Sequence, residues 1–273
     1  MECQSIVAYF HGAVISFITI SKVIMYLQRR LSIAFFSLLL LSVDFTLLQA
    51  QGQNSAPKDI VVLVHGLGRG KSIMVPLQTQ LEKAGFQTAL IDYRSINRSP
   101  VQILADVAKQ IDTIRINSNQ TMHFVGHSLG GLVIRAYLDS NKIKNLGKVI
   151  LIGSPNKGTP FVDHFRDAWW LKLVGSAASS LGTDEKSFPR SLRPPYYPVG
   201  IIAGISTTFK NDDYIPGEDD GIVPVESTKV EGMKDFILLE VSHSSLPQNK
   251  IVAQHVIEFL KSGKFLKETQ KQN

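Results

Sequence analysis

Cysteine is nearly absent from the sequence, and this excludes several kinds of chemistry. The one cysteine, Cys3, stands at the start of a chain of 273 residues, so no disulfide framework or site of paired cysteine ligands can form within it. A cysteine nucleophile in the folded part is excluded as well.

Charged residues make up 19% of the chain and apolar residues 44%, a balance that excludes global disorder and provides a large core.

A basic stripe with interleaved aromatic residues is also missing. The formal net charge is +6, but the basic residues are scattered along the chain. They cluster only near the C-terminus, at Lys261, Lys264, Lys267 and Lys271, which we interpret as a solvated tail. The sequence therefore predicts no nucleic-acid partner.

The first fifty residues are typical of a targeting segment. Residues 31–43 form an apolar run without charge, preceded by Arg29 and Arg30 and followed by a polar stretch after Ala50. A basic region, an apolar region of this length and a small residue before a polar stretch predict a secretory signal peptide over residues 1–50.

An uncleaved N-terminal membrane anchor is the competing interpretation of this segment. Its length is close to that of a membrane span, but Asp44 lies within it and disfavours spanning. Met25 is an alternative start for a conventional signal peptide. Under either interpretation a globular domain, residues 51–273, lies outside the cytoplasm, exported to the periplasm or beyond, or anchored to a membrane.

Beyond this leader, short apolar runs alternate with amphipathic helical patterns. The predicted strands cover 60–64, 86–93, 122–126, 148–152, 199–205 and 236–241, and the predicted helices between and after them cover 72–84, 100–114, 129–138, 161–182 and 250–260. Strands separated by helices of this length predict one α/β domain, with a mostly parallel central sheet covered by helices on both faces.

The clearest chemical signal is the segment Gly-His-Ser-Leu-Gly-Gly at residues 126–131. It fits the pattern G-x-S-x-G, and it lies between an apolar strand and a helix, as a nucleophile elbow requires. Glycines on either side of Ser128 remove the β-carbons that would collide in so sharp a turn. Ser128 is therefore the predicted nucleophile.

A serine nucleophile needs a base, and the base needs a group to orient it. His243 directly follows the last predicted strand, so its loop lies at the same sheet edge as Ser128. The acidic loop before it offers Asp219 and Asp220, of which we predict that Asp220, immediately before Gly-Ile-Val-Pro, orients the imidazole. The chain order is then Ser, Asp, His.

Five segments together resemble a known superfamily. They are HGLG (65–68), GHSLGG (126–131), GSPNKGTP (153–160), DDGIVP (219–224) and the histidine loop after the final strand. This set resembles the α/β-hydrolase superfamily, and within it the bacterial triacylglycerol lipases and small serine esterases. The resemblance runs from about residue 60 to residue 260.

The resemblance implies an oxyanion hole formed by two backbone N–H groups, those of Leu67 and Leu129. Some bacterial lipases carry a calcium site with an aspartate two residues beyond the catalytic histidine. Ser245 occupies that position here, so we predict no calcium site. The chemistry of the triad requires no metal and no organic cofactor.

A short cap, at about residues 161–198, is predicted to cover the site. It contains Trp169 and Trp170, which an amphipathic flap would use to bind acyl chains or to contact a membrane surface. The alternative is an ordinary helical cap with both tryptophans partly buried.

Together these features predict a serine hydrolase of the lipase or esterase type, which cleaves carboxylic esters through an acyl-serine. A thioesterase, an acyltransferase, and a phospholipid or GPI-inositol deacylase use the same triad and remain alternatives. A silent binding protein with this fold is a further alternative, against which the complete triad argues. The sequence leaves the natural substrate and the oligomeric state open.

Overall fold

Six strands form a single sheet in which every neighbouring pair is parallel. The strands are β1 (Ile60–Val64), β2 (Gln87–Ile91), β3 (Met122–His127), β4 (Leu146–Ile152), β5 (Val199–Gly204) and β6 (Asp235–Leu239). Their order across the sheet is β2-β1-β3-β4-β5-β6. The sheet confirms the predicted α/β class and is parallel throughout.

The structure is a computed structural model, and it describes residues 58–208 and 213–267. The predicted signal peptide or anchor, the alternative start at Met25 and the cysteine lie outside these residues, as does the last lysine of the C-terminal cluster. Residues 57–273 form a compact unit of their own. Within the described residues, no helix combines the length and the apolar character that crossing a membrane requires.

Helices connect the strands and cover both faces of the sheet. They are α1 (Val75–Lys83), α2 (Pro100–Ile111), α3 (Leu129–Ser140), α4 (Pro160–His164), α5 (Trp169–Val174), α6 (Ser176–Ser179), α7 (Val225–Thr228) and α8 (Lys250–Ser262). A 3₁₀ turn, Lys71–Met74, leads into α1, and a second one, Leu246–Gln248, precedes α8.

Local sequence explains where the two long amphipathic helices begin and end. Ser99 and Gln102 form a reciprocal capping box at the start of α2, which satisfies backbone N–H groups that the first turn leaves without partners. Asn249 caps α8 through its side chain, and Gly263 ends that helix in the left-handed region at φ 77°. A glycine pays no β-carbon penalty in that conformation.

The predicted helix over residues 161–182 is three short helices in the structure, α4, α5 and α6. The chain is extended at Ala168, and at Gly175 it takes φ 105°, a value that continues no helix. Residues 180–198 contain no helix or strand. The cap therefore contains three short helices separated by breaks, so the direction of one helix does not fix the direction of the next.

The apolar core lies on both faces of the sheet. In β1, Val61 and Leu63 pack into the layer that includes α1 and α8, while Val62 and Val64 pack into the layer that includes α2 and α3. Because successive side chains of a strand point to opposite faces, a strand buried on both faces is apolar throughout. This arrangement leaves the carboxyl edge of the sheet as the place where polar loops converge.

Candidate active site

Ser128 lies at the carboxyl edge of the sheet, in the turn between β3 and α3. Its backbone has φ 54° and ψ −125°, a left-handed conformation that is uncommon for a residue with a β-carbon. The Ser128 N–H donates to the carbonyl of Ile152 at 2.9 Å. The surrounding structure thus holds the serine in a strained turn that presents its hydroxyl at the sheet edge.

Three glycines allow the chain to make this turn. A β-carbon at Gly126 would lie 2.5 Å from the backbone nitrogen of Gly131, and one at Gly130 would lie 2.3 Å from the carbonyl oxygen of Val64. A β-carbon at Gly131 would lie 2.1 Å from Oγ of Ser154. The turn therefore needs glycine for close approach to its own helix, to β1 and to Ser154 in the loop after β4.

His243 reaches the serine from the loop after β6, and Asp220 reaches the histidine. Nε2 of His243 lies 3.1 Å from Oγ of Ser128, and Nδ1 lies 2.7 Å from Oδ2 of Asp220. The His243 N–H also donates to the Asp220 carbonyl at 2.8 Å. Because the carboxylate only accepts, Nδ1 carries the proton, and the lone pair of Nε2 faces the serine hydroxyl.

The structure also separates the two candidate aspartates. The Asp220 side chain is fully buried, and its second oxygen accepts from the N–H groups of Ile222 and Val223 at 3.1 and 2.8 Å. Asp219 instead accepts from the N–H of Gly221 at 2.6 Å. Asp220 is thus the aspartate in contact with His243, and its buried carboxylate has partners on both oxygens.

The two predicted oxyanion donors flank the serine. Leu67 follows β1 and lines the cavity at the serine, and Leu129 is the first residue of α3. In the described part of the chain, neither backbone N–H has a hydrogen-bond acceptor. A free N–H at the positive end of a helix, such as that of Leu129, is suited to an oxygen that gains negative charge.

Tyr93 fixes the loop that carries Leu67, a role that the sequence did not reveal. Its hydroxyl donates to the carbonyl of His65 at 2.6 Å, and the two rings stack with centroids 4.2 Å apart. Burial lowers the pKa of His65 and raises that of Tyr93. Both side chains therefore stay neutral, and they act by packing and hydrogen bonding.

His127 is a second neighbour of the triad. It is buried, and its Nε2–H donates to the carbonyl oxygen of His243 at 3.0 Å, with the two rings 4.9 Å apart. Burial, followed by the charge of His243, lowers the pKa of His127 well below its usual value. The His127 ring therefore anchors the backbone of the His243 loop through this hydrogen bond.

The remaining described histidines lie away from the triad. His123, predicted to be a core histidine, is buried in β3, where it accepts from the Lys148 N–H at 2.9 Å. His164 stacks on Tyr214 at 4.3 Å, and His255 is buried in α8. Among the residues that the structure describes, no three His, Cys, Asp or Glu side chains are grouped as a metal site requires.

A cavity of about 190 Å³ opens at Ser128 and extends beneath the cap. Its walls are mostly apolar and come largely from α4, α5, α6 and the segment before β5; they include Phe161, Val162, Trp170, Leu171, Val174, Ala178 and Leu181. Trp170 lines the cavity, whereas the Trp169 side chain points away and is 74% exposed. Only one of the two predicted tryptophans therefore faces the site.

Comparison with known proteins gives one family match. The sequence model of the palmitoyl protein thioesterase family matches residues 60–189, which include the nucleophile elbow and part of the cap. No curated protein sequence matches the chain significantly.

Solved structures give many matches. The chain is 20% identical to the mature form of the lipase BlEst2 from Bacillus licheniformis, over 71% of this chain and 88% of that one, with a TM-score of 0.57. For the propeptide form of the same lipase the identity is 21%, the coverage 80% and 53%, and the TM-score 0.65. A metagenomic carboxyl esterase is 17% identical over 70% and 66%, with a TM-score of 0.52. These similarities show a shared fold.

Proposed function

We propose that this member of the α/β-hydrolase superfamily is a serine hydrolase that cleaves carboxylic esters through an acyl-serine intermediate. The observation that carries the proposal is the continuous hydrogen-bonded series Asp220–His243–Ser128 at the mouth of an apolar cavity. The hydrogen bonds provide an activated nucleophile, and the cavity provides a place for an acyl chain.

Acylation follows from the positions of the three side chains. The Ser128 hydroxyl attacks the ester carbonyl carbon while His243 takes its proton through Nε2, and Asp220 stabilises the imidazolium that forms. The N–H groups of Leu67 and Leu129 donate to the tetrahedral oxyanion. Each such donor is worth roughly two to three orders of magnitude in rate.

The same histidine completes the cycle. His243 gives its proton to the leaving oxygen as the carbon–oxygen bond breaks, which leaves the acyl group on Ser128. It then removes a proton from a water molecule that attacks the acyl carbon, and a second tetrahedral intermediate collapses to the free acid and the serine hydroxyl. All of these proton transfers pass through the one nitrogen that lies 3.1 Å from the serine oxygen.

A thioester is the second candidate substrate class, and one observation favours it. The family model that matches residues 60–189 is that of palmitoyl protein thioesterases. A thiolate leaves more readily than an alkoxide, so the same residues serve both substrates. The cavity of about 190 Å³ lies below the roughly 300–1,000 Å³ of typical ligand pockets, so it favours acyl chains of short or medium length.

Hydrolysis of matched esters and thioesters tests this proposal. The full chain is assayed against p-nitrophenyl esters from C2 to C16 and N-acetylcysteamine thioesters of the same acids, beside Ser128→Ala. Ser140→Ala, at the far end of α3, is the matched control. We expect activity that peaks at short or medium chain length, drops by at least about 10⁴-fold in Ser128→Ala, and is retained in Ser140→Ala.

Equal rates for the wild type and Ser128→Ala on every substrate would rule out the proposed nucleophile. If the wild type cleaves only thioesters, the second candidate replaces the first. A peak at C16 would mean that the cap moves to enlarge the cavity.

A further inference from the structure

One side chain at the cavity differs in kind from all of its neighbours. Among the described residues that line the cavity, Arg69 is the only one with a permanent charge. The walls are otherwise mostly apolar, with the neutral polar groups of the site and the exposed Ser244 beside His243. The guanidinium is therefore the one permanent charge that a substrate group would meet among the described residues of the cavity lining.

Arg69 has no ion-pair partner in the described part of the chain. Two residues further on, Lys71 pairs with Asp92 at 3.3 Å, whereas no described carboxylate lies within ion-pair distance of the Arg69 guanidinium. The side chain is exposed, and its charge is felt at His127, where it helps to lower the pKa. Its positive charge is therefore not neutralised by any described carboxylate.

The backbone on both sides of Arg69 is fixed. The Gly68 N–H donates to Oγ of the buried Ser95 at 2.9 Å, and the Lys71 N–H donates to Asp92 at 3.4 Å. Gly68 takes φ 66° and offers no side chain. Arg69 thus projects from a short, anchored loop, two residues after the oxyanion donor Leu67, which reduces the entropy that binding would cost.

The polarity of the cavity determines which part of a substrate meets this arginine. The buried end, beneath α5 and α6, is apolar and accepts the acyl chain, because burial of apolar surface is favourable there. The other side of the scissile bond, the leaving group, then occupies the exposed mouth. Arg69 and Ser244 are exposed residues of the cavity lining, and the proton donor His243, next to Ser244 in the chain, lines the same cavity.

We propose that Arg69 binds an anionic group, a phosphate or a carboxylate, carried by the leaving group of the substrate. The inference rests on the proposed serine hydrolase function and specifies its substrate class. The guanidinium offers a planar set of donors that matches phosphate and carboxylate oxygens in pairs. Esters or thioesters of charged alcohols and thiols are then the preferred substrates, ahead of neutral ones with the same acyl chain.

Three octanoyl thioesters that differ only in the leaving group test this inference. They are the thioesters of coenzyme A, which carries phosphates, of 3-mercaptopropionate, which carries one carboxylate, and of neutral N-acetylcysteamine. Octanoyl-glycerol with and without a 3-phosphate provides the same comparison for esters. The variants are Arg69→Gln and Arg69→Lys, with Arg94→Gln, an exposed arginine that does not line the cavity, as the matched control.

We expect the wild type to favour at least one anionic substrate by about tenfold or more in kcat/KM, mainly through KM, with a preference that weakens as salt is added. Arg69→Gln brings the ratio of anionic to neutral kcat/KM close to one. Arg69→Lys keeps part of it, and Arg94→Gln keeps all of it. The coenzyme A and mercaptopropionate substrates distinguish phosphate from carboxylate.

No preference in the wild type, or an equal change of the ratio in Arg94→Gln, would overturn the inference. Binding of octanoyl coenzyme A and octanoyl mercaptopropionate to Ser128→Ala, measured by calorimetry with and without Arg69→Gln, separates it from the proposed function. A tenfold loss of affinity for either ligand in the double variant supports the anion site even where no substrate is cleaved. Unchanged affinity for both contradicts it even where hydrolysis is observed.

Discussion

The reactivity proposed for Ser128 depends on two hydrogen bonds, one between Asp220 and His243 and one between His243 and Ser128. The Asp220 carboxylate accepts from Nδ1 of His243 and thereby fixes the tautomer that leaves Nε2 free to take a proton. An amide in its place would offer an N–H or a weaker acceptor, and the wrong tautomer would become favourable.

Asp220→Asn is therefore expected to lower kcat by about 10⁴-fold and to change KM little. Asp219→Asn is the natural control, because that side chain accepts from Gly221 and not from the histidine. Its kcat is expected to stay within a few fold of the wild type. A larger loss in Asp219→Asn than in Asp220→Asn, measured by steady-state kinetics, would reverse the assignment.

His127 acts on the reaction through the backbone of His243. His127→Phe removes the hydrogen bond to the His243 carbonyl and is expected to lower kcat by about tenfold, the effect of losing one buried hydrogen bond. His127→Gln can place an amide N–H near the same position and should restore most of that loss. Equal kcat values for the Phe and Gln variants would show that the hydrogen bond does not position the loop.

At the scale of elements, the junction of β3 and α3 is the tightest part of the fold. A β-carbon at Gly130 would meet the carbonyl oxygens of Val64 and His65 at 2.3 and 2.4 Å, and neither backbone atom can move without displacing β1. Gly130→Ala should lower the midpoint of thermal unfolding by roughly 5 °C or more. Gly70→Ala, where the nearest atom is 4.0 Å away, should leave it nearly unchanged, and equal shifts in the two variants would contradict this account.

The short helix α5 has two faces with different environments. Trp170 lines the cavity and packs near Phe165, while Trp169 is exposed. Trp170→Ala is expected to lower kcat/KM about tenfold for octanoyl esters and much less for acetyl esters, since roughly 1.4 kcal/mol of apolar contact is lost. Trp169→Ala should affect both esters alike. A chain-length effect confined to Trp169→Ala would place the acyl chain elsewhere.

The sequence predicted the elements well where one physical signal dominates. Short apolar runs identified all six strands, most clearly β1, whose five apolar residues are all buried, because a strand buried on both faces has few other compositions. The cap was predicted less well, since the direction of Trp169 and Trp170 depends on chain breaks at Ala168 and Gly175. Helical periodicity over residues 161–182 cannot reveal such breaks.

At the scale of the whole molecule, the site is assembled from residues far apart in the chain. The motifs identified Ser128 and His243, and the sheet topology explains why their loops meet at one edge. Asp220 was predicted from its place immediately before Gly-Ile-Val-Pro, and the structure places it in contact with His243. The support from Tyr93 depends on contacts with His65, 28 residues away in sequence, which leave no pattern in the sequence.

Buried histidines make the stability of the fold depend on pH. Burial lowers the pKa values of His65, His123 and His127, so the unfolded chain takes up protons at a higher pH than the folded one. Their contribution is fully present above about pH 6.5 and is lost as the pH falls toward the lowered values.

The free energy of unfolding, measured by denaturant titration, should therefore be nearly constant from pH 8 to 7 and decrease below about pH 6.5. The decrease should be smaller in His127→Gln and unchanged in His164→Gln, whose ring is exposed. A decrease of the same size in all three proteins would mean that other groups are responsible.

Covalent labelling by a fluorophosphonate, followed by peptide mass spectrometry, tests directly whether Ser128 is an activated nucleophile. We expect one phosphonyl group per chain, on Ser128, formed rapidly in the wild type and slowly in Asp220→Asn. We expect no adduct in Ser128→Ala. An unlabelled wild type, or an adduct of equal yield in Ser128→Ala, would contradict the claim that Ser128 is an activated nucleophile.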